Sequence, residues 1–389
     1  MSKKPELIIF SQNLMGGGSS FHRNMIKNKP NDFFDIQCIY HDPLHWNAAR
    51  STEIQLNEND VIFKFGDEPE YEIAKRLNQH ISNKPGAIVT NLPEELYTLT
   101  YFPKSKKTIY FICHDIGFLS ILKKHQNIID VFIAHNHQVY EAIVKSIPHR
   151  KKDIYFIQHG VEVQGFPKKQ NKNSPLNLVF LARHVKIKGI YDLPKIDDSL
   201  LKKNISVNWT ILGDGEEREN FINQVKNRKN FSFIVAKNAE EIINILKYQD
   251  LYTLPSSHDG LPVSMLEAMS VGCVPITYNF SEGIKKVVTD DIGNVVELHD
   301  YIAMSDCIEK YNADRDLLFE FSNNCIQKVN TEFNIKTQAN EYFKLYKDYK
   351  KHRNNHQSLN VLINKYRNKN KYIRKAFTLL NMIRNYTNA

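Results

Sequence analysis

Short apolar runs recur along this chain, and between them the apolar positions fall at helical spacing. The first half carries "ELIIFS", "GAIVT", "KTIYFIC", "DVFIAH" and "DIYFIQ". After the polar loop "FPKKQNKNSPLN" the rhythm restarts with "LNLVFLA", "VNWTILG", "FSFIVA", "DLYTLP" and "CVPIT". Nearly continuous apolar strands separated by helices are what a parallel sheet covered on both faces requires. The pattern predicts an α/β protein of two doubly wound, Rossmann-like domains facing a central cleft. The Lys- and Asn-rich loop, with Pro167 and Pro175, marks the boundary, giving residues 1–168 and 169–331.

In such sheets ligands bind beyond the carboxyl ends of the strands, so the residues just after each strand carry the chemistry. The first strand is followed by "NLMGGGSSFHRN", which fails the dinucleotide G-x-G-x-x-G pattern because Phe21 stands at the third glycine. Gly16, Gly17 and Gly18 suit either a flexible turn or a close backbone approach to a phosphate or sugar. Strands of the first half lead into His114, into His135 and His137, and into His159. Imidazoles at one rim can bind a metal, relay protons, hydrogen-bond a polyol or simply cap loops. Only Asp115 adjoins them, and a metal site is not expected.

In the second half, "LNLVFLARHVKIKG" ends a strand in Arg183, followed by Lys186, Lys188 and Gly189. Cations there suit a diphosphate, with a solvated basic loop as the alternative. "ILGDGEER" reads as a strand, a turn and a helix start, its glycines serving the turn. The stretch "LPSSHDGLPVSMLEAMSVGCVPI" sets Asp259 in a turn and Glu267 eight residues on, inside a short helix. Pro262 suits the first helical position, and the free N–H groups of a helix start attract an anion. Carboxylates touching that anion would repel it; flanking it, they accept hydroxyl hydrogen bonds on either side. A nucleotide sugar offers that order: ribose hydroxyls, diphosphate, sugar hydroxyls. The pair Asp314 and Asp316, in "NADRDLL", reads as a solvated helix face.

Composition narrows the class. The chain has 389 residues, 42% hydrophobic and 24% charged, and suits two domains of a soluble globular protein. It contains no apolar stretch long enough to span a bilayer and no signal-peptide core at "MSKKPELIIF". Cys38, Cys113, Cys273, Cys307 and Cys325 are scattered and form no C-x-x-C pair, which favours a reducing cytoplasm. The net charge is +9, and residues 351–389 hold nine Lys and Arg with no Asp or Glu. A near-neutral body with a basic tail argues against nucleic acid and for an anionic surface touched at one end. In "YIRKAFTLLNMIRNY" the apolar residues share one helical face, so residues 351–389 read as a basic amphipathic helical tail, set on anionic lipid or on a partner subunit.

These phrases carry a family resemblance. "DGLPVSMLEAMSVGCVPI" resembles the acid, seven residues, Glu pattern of the retaining glycosyltransferases of family 4, which have the two-domain GT-B fold. Arg183 with Lys188-Gly189 is similar to their phosphate-binding phrase, and "ILGDGEER" to the strand and turn that follow. "HD" at His114-Asp115 resembles their cleft histidine. "FNIKTQANEYFKLYKDY", within residues 332–350, is similar to the helix that crosses back to the first domain. The first acid is Asp259 where Glu is usual, Lys286 stands where a second Glu is common, and His159-Gly160 where Asn-Gly is usual.

The resemblance implies a glycosyltransferase taking a nucleotide diphosphate sugar, expected to be UDP-linked, to a growing, lipid-linked cell-surface glycan. It implies that Glu267 holds the ribose, while Arg183, Lys188 and the helix start at Gly260, Leu261, Val263 and Ser264 hold the diphosphate. It sets Asp259 at the transferred sugar, with His114 and Gly17–Gly18 facing it from the other domain. Since two cations can stabilise the leaving group, no metal or other cofactor is expected. No carboxylate nucleophile emerges, so front-face transfer with retention is favoured over double displacement. The expected place is the cytoplasm, peripheral on the membrane. The alternatives are a nucleotide-sugar epimerase of the same fold and a binding module without turnover.

Overall fold

The computed structural model describes residues 4–14, 17–30, 32–45, 56–164 and 174–353. Seven strands build the first sheet: β1 (Glu6–Gln12), β2 (Asp35–Pro43), β3 (Val61–Phe65), β4 (Gly86–Thr90), β5 (Lys107–Cys113), β6 (Val131–Ala134) and β7 (Ile154–Phe156). Six build the second: β8 (Leu176–Leu181), β9 (Val207–Leu212), β10 (Phe231–Ile234), β11 (Leu251–Leu254), β12 (Val274–Tyr278) and β13 (Asn294–Val296). The spatial orders are β3-β2-β1-β4-β5-β6-β7 and β10-β9-β8-β11-β12-β13, with parallel pairing throughout. This is the doubly wound order, and it reverses direction between β1 and β4 and between β8 and β11, where a crevice opens for a ligand. The expected α/β class and the two facing domains are what the molecule has.

The cores follow from the strand sequences. Ile8, Phe10, Ile88, Phe111 and Phe132 lie on one face of the first sheet, and Leu7, Ile9, Val89, Tyr110 and Ile133 on the other. The second face is covered by the helix Ile335–Lys347, through Ala339, Tyr342, Phe343 and Tyr346. The chain thus returns to its first domain. The two crossing segments are tied together, because Val161 N–H donates to the Phe333 carbonyl at 2.8 Å and Ile335 N–H to the Val161 carbonyl at 3.0 Å.

Two local expectations change. Pro262 caps the helix Val263–Ser270 rather than opening it, with ψ of 113°. Asp314 lies just before the helix Arg315–Glu332 and accepts from Leu317 N–H at 2.9 Å, so it is a helix cap. The basic tail expected from residue 351 onward falls, from residue 354, outside the described residues. No helix among the described residues is long and apolar enough to cross a membrane.

Candidate functional site

Both switch points open onto the same cleft. On the second domain, β8 runs out into Arg183 and a 3-10 turn, Lys186–Lys188, and β11 runs out into Ser256–Gly260. Gly189 joins these two exits. Its φ of +72° is the left-handed region that favours glycine, and a Cβ there would lie 1.8 Å from the Pro255 carbonyl oxygen. Ser257 N–H and the Ser256 hydroxyl both donate to the Ile187 carbonyl, at 2.9 and 3.1 Å. This lacing sets Lys188 over the Asp259 turn: Nζ is 2.5 Å from Asp259 Oδ2 and 3.4 Å from the His258 carbonyl. Lys186 is directed elsewhere, 3.5 Å from Glu217. Arg183 is exposed, and its side chain meets no polar partner among the described residues.

The helix Val263–Ser270 has no side-chain cap, so its first N–H groups are left for a ligand or water. Leu261 and Val263 are buried in the second core, which leaves their backbone as what they offer the cleft. Below this turn lies a residue that sequence reasoning missed. Tyr252 is fully buried on β11, and its hydroxyl meets Ser264 Oγ at 2.9 Å. Burial raises its pKa, and the charges of Asp259 and Glu267 raise it further. His184, also missed, is buried beside Arg183, and its backbone N–H donates to the Asp214 carbonyl at 2.8 Å. Burial, with Arg218 close by, lowers the pKa of its ring to about 4.

The first domain closes on this turn. Gly17 opens the helix Gly17–Lys27, and a Cβ there would stand 3.1 Å from Val263 Cγ2, so two helix starts meet across the cleft. A Cβ on Gly260 would be 2.9 Å from the His114 carbonyl oxygen, 3.7 Å from Asn136 Nδ2 and 3.8 Å from Asp115 Oδ2. Asn136 Oδ1 accepts from Val139 N–H at 2.8 Å, while its buried Nδ2 has no partner. His258 Nε2 reaches Asp115 Oδ2 at 3.3 Å, again from one domain to the other. A further pair, Lys286 and Glu141, spans the domains at 3.7 Å.

Behind this rim the histidines gather. His114, His135 and His159 follow β5, β6 and β7, and one ring nitrogen of each lies within 4.8 Å of the others. His22 joins them, 5.8 Å from His114 between ring centroids, and Phe21 packs its ring against His135 and His159 at 4.8 and 4.9 Å. His137 stands apart, exposed and stacked on Phe156. Burial lowers the pKa of His22 to about 3 and of His114 to about 4, and those of His135 and His159 well below the usual value. These imidazoles are neutral at pH 7.

Comparison with known proteins identifies part of this arrangement. Residues 163–330 match the family described as glycosyl transferases group 1. The chain is 29% identical over 157 residues to an Escherichia coli UDP-Gal:alpha-D-GlcNAc-diphosphoundecaprenol alpha-1,3-galactosyltransferase, covering 39% of each chain. It is 23% identical over 205 residues to the Staphylococcus aureus capsular polysaccharide biosynthesis glycosyltransferase CapM, covering 50% of this chain and 54% of that one. The match thus spans about two fifths to half the length of these relatives. Among solved structures, Anabaena Alr3699/HepE in complex with UDP and glucose superimposes with a TM-score of 0.70. It covers 88% of this chain and 99% of that one at 14% identity, a likeness of fold.

Proposed function

We propose that this protein transfers a sugar from a nucleoside diphosphate donor to a cell-surface glycan, because residues 163–330 match the glycosyl transferases group 1 within a chain of the GT-B fold. The observation that carries the reading is the convergence of Lys188, Asp259 and two facing helix starts at the switch points of both sheets. Helix starts and cations bind a diphosphate, and carboxylates on its flanks bind hydroxyls.

In this reading the diphosphate lies along the start of the helix Val263–Ser270, with Lys188 and Arg183 beside it. Glu267 holds the ribose, Asp259 the transferred sugar, and His114 with Asn136 faces that sugar from the first domain. An acceptor hydroxyl attacks the anomeric carbon as the bond to the β-phosphate oxygen breaks. The nucleoside diphosphate leaves with growing negative charge, which the two cations and the helix start stabilise without a metal. Attack from the leaving-group side retains the anomeric configuration, and the departing oxygen takes the hydroxyl proton.

A UDP-linked donor is favoured by the UDP named for the Escherichia coli relative and for the Anabaena structure. The diphosphoundecaprenol and capsule named for the relatives favour a lipid-linked glycan as acceptor. Such an acceptor suits a protein held at the cytoplasmic membrane surface by the basic residues after 350. Removing residues 354–389 is then expected to release the protein from anionic vesicles at low salt; unchanged sedimentation would assign the tail another role. The reading as a whole is tested by mass spectrometry of products from a nucleotide-sugar panel with extracted lipid-linked glycans. Acceptor mass increased by one sugar supports it; an isomerised donor with no acceptor change, or binding without turnover, overturns it.

A further inference from the structure

We propose that His114, His135 and His159 form a three-imidazole site for a transition-metal ion of the Zn²⁺ type, separate from the diphosphate cations. The strands themselves align the ligands. Cys113 pairs with Ala134 and Ala134 with Phe156, so His114 and His135 leave level positions on neighbouring strands, and His159 follows three residues beyond Phe156 of the next strand. One nitrogen of each ring already lies within 4.8 Å of the other two.

The tautomer of the central ligand is fixed by its surroundings. Tyr342 Oη lies 3.0 Å from the Ile157 carbonyl oxygen and 2.8 Å from His135 Nδ1. A carbonyl can only accept, so the Tyr342 hydroxyl donates its proton there, and its oxygen accepts from His135 Nδ1–H. The Nε2 of His135 is then a bare lone pair, fully buried and without a partner. A ring nitrogen held as a donor while the other carries an unused lone pair is the arrangement of a metal-ligating histidine. His159 Nδ1 and His114 Nε2 are likewise buried without partners.

The donor set selects the ion. Three imidazoles with no first-rank carboxylate suit Zn²⁺, Co²⁺, Ni²⁺ or Cu²⁺ and disfavour Mg²⁺ or Ca²⁺. Three protein ligands leave a fourth position for water or a hydroxyl. Tetrahedral coordination brings the nitrogens to about 3.3 Å from one another, given metal–nitrogen bonds of about 2.05 Å. Binding therefore contracts the cluster and unstacks His159 from His135, whose rings now lie 3.7 Å apart. His114, only partly buried, has the most room to turn.

The test is titration of the chelator-stripped full chain with Co²⁺ alone, followed by Zn²⁺. One Co²⁺ per chain with the intense visible bands of tetrahedral coordination, displaced by Zn²⁺, is the expected result. His135→Ala and His159→Ala abolish those bands, whereas His137→Ala and His149→Ala, at exposed positions, leave them unchanged. Tyr342→Phe keeps all three ligands and is expected to weaken Co²⁺ binding about 10–100-fold. Absence of stoichiometric binding overturns the proposal, as do bands that survive in both alanine variants. Should either variant lose the wild-type circular dichroism, His114→Gln replaces it under the same criterion.

Discussion

Lys188 and Asp259, 71 positions apart in sequence, form an ion pair with Nζ 2.5 Å from Oδ2 at the mouth of the cleft. Neither side chain is fully exposed, at 14% and 22%. The cation expected at the diphosphate and the acid expected at the sugar are therefore one coupled unit. In the proposed reading, Lys188 screens the diphosphate from Asp259, and Asp259 aims Lys188.

Their substitutions should accordingly fail to add. Lys188→Ala is expected to lower kcat/KM by about a hundredfold, the usual effect of removing one leaving-group donor. It also strands an unpaired carboxylate beside the diphosphate. The double variant Lys188→Ala/Asp259→Asn should then bind UDP more tightly than Lys188→Ala alone, with a coupling of about 1 kcal/mol. Calorimetry over the four proteins measures it, and strictly additive losses would show that the pair has no role at the diphosphate.

Glu267 lies about one turn into the helix Val263–Ser270 and should behave differently. Glu267→Gln keeps the shape but loses charge-assisted acceptance, so UDP binding should weaken by about 1–3 kcal/mol. Asp259→Asn should leave UDP binding near normal and impair only the sugar-bearing donor. Asp259→Glu adds one methylene and should be tolerated or shift the preferred sugar. Equal responses of both acids toward UDP and the full donor would defeat this division.

Gly260 should prove intolerant for a reason unrelated to backbone strain. An alanine Cβ would press on the His114 carbonyl at 2.9 Å, holding the two domains apart. UDP binding, which needs the second domain, should change by no more than about twofold. Turnover should fall by about a hundredfold, as displacements near 1 Å do at reacting centres. Normal turnover in Gly260→Ala would mean that the domains work without this contact.

The buried histidines predict a pH dependence of stability. The pKa of His22 is lowered by burial from 6.5 to about 3 in the folded protein. As pH falls, the unfolded chain takes up the proton first. Stability present above about pH 6.5 is therefore lost progressively toward pH 3, and His22 alone contributes a loss of about 2 kcal/mol by pH 5. Thermal unfolding between pH 7.5 and 5 should show a falling Tm, with a shallower slope in His22→Gln. Parallel slopes would show that His22 does not control it.

Ten of the thirteen strands among the described residues were legible because their apolar runs are nearly unbroken. β2, β3 and β13 were not. Asp35, Gln37, His41 and Asp42 interrupt β2, and β3 and β13 are edge strands with one side unpaired, so less of each is buried. The Arg183–Gly189 and Asp259–Glu267 phrases stood out because each is local. The partners of those residues did not. Tyr252 reads as an ordinary strand tyrosine, and Asn136 as an ordinary helix cap. Only the parallel order of the sheets brings Tyr252 under Ser264 and Asn136 over Gly260. The helix Ile335–Lys347 gives Tyr342 to the histidine cluster from about two hundred residues away, a contact that no spacing encodes.

Time-resolved proton NMR of a UDP-α-linked sugar with its acceptor tests the central claim most directly, because it follows the donor, the released nucleotide and the new linkage together. The account predicts loss of the donor anomeric signal, stoichiometric appearance of UDP, and a new α-anomeric signal on the acceptor. A β-anomeric product would contradict retention. Free sugar alone, an epimerised sugar nucleotide, or an unchanged donor would contradict transfer itself.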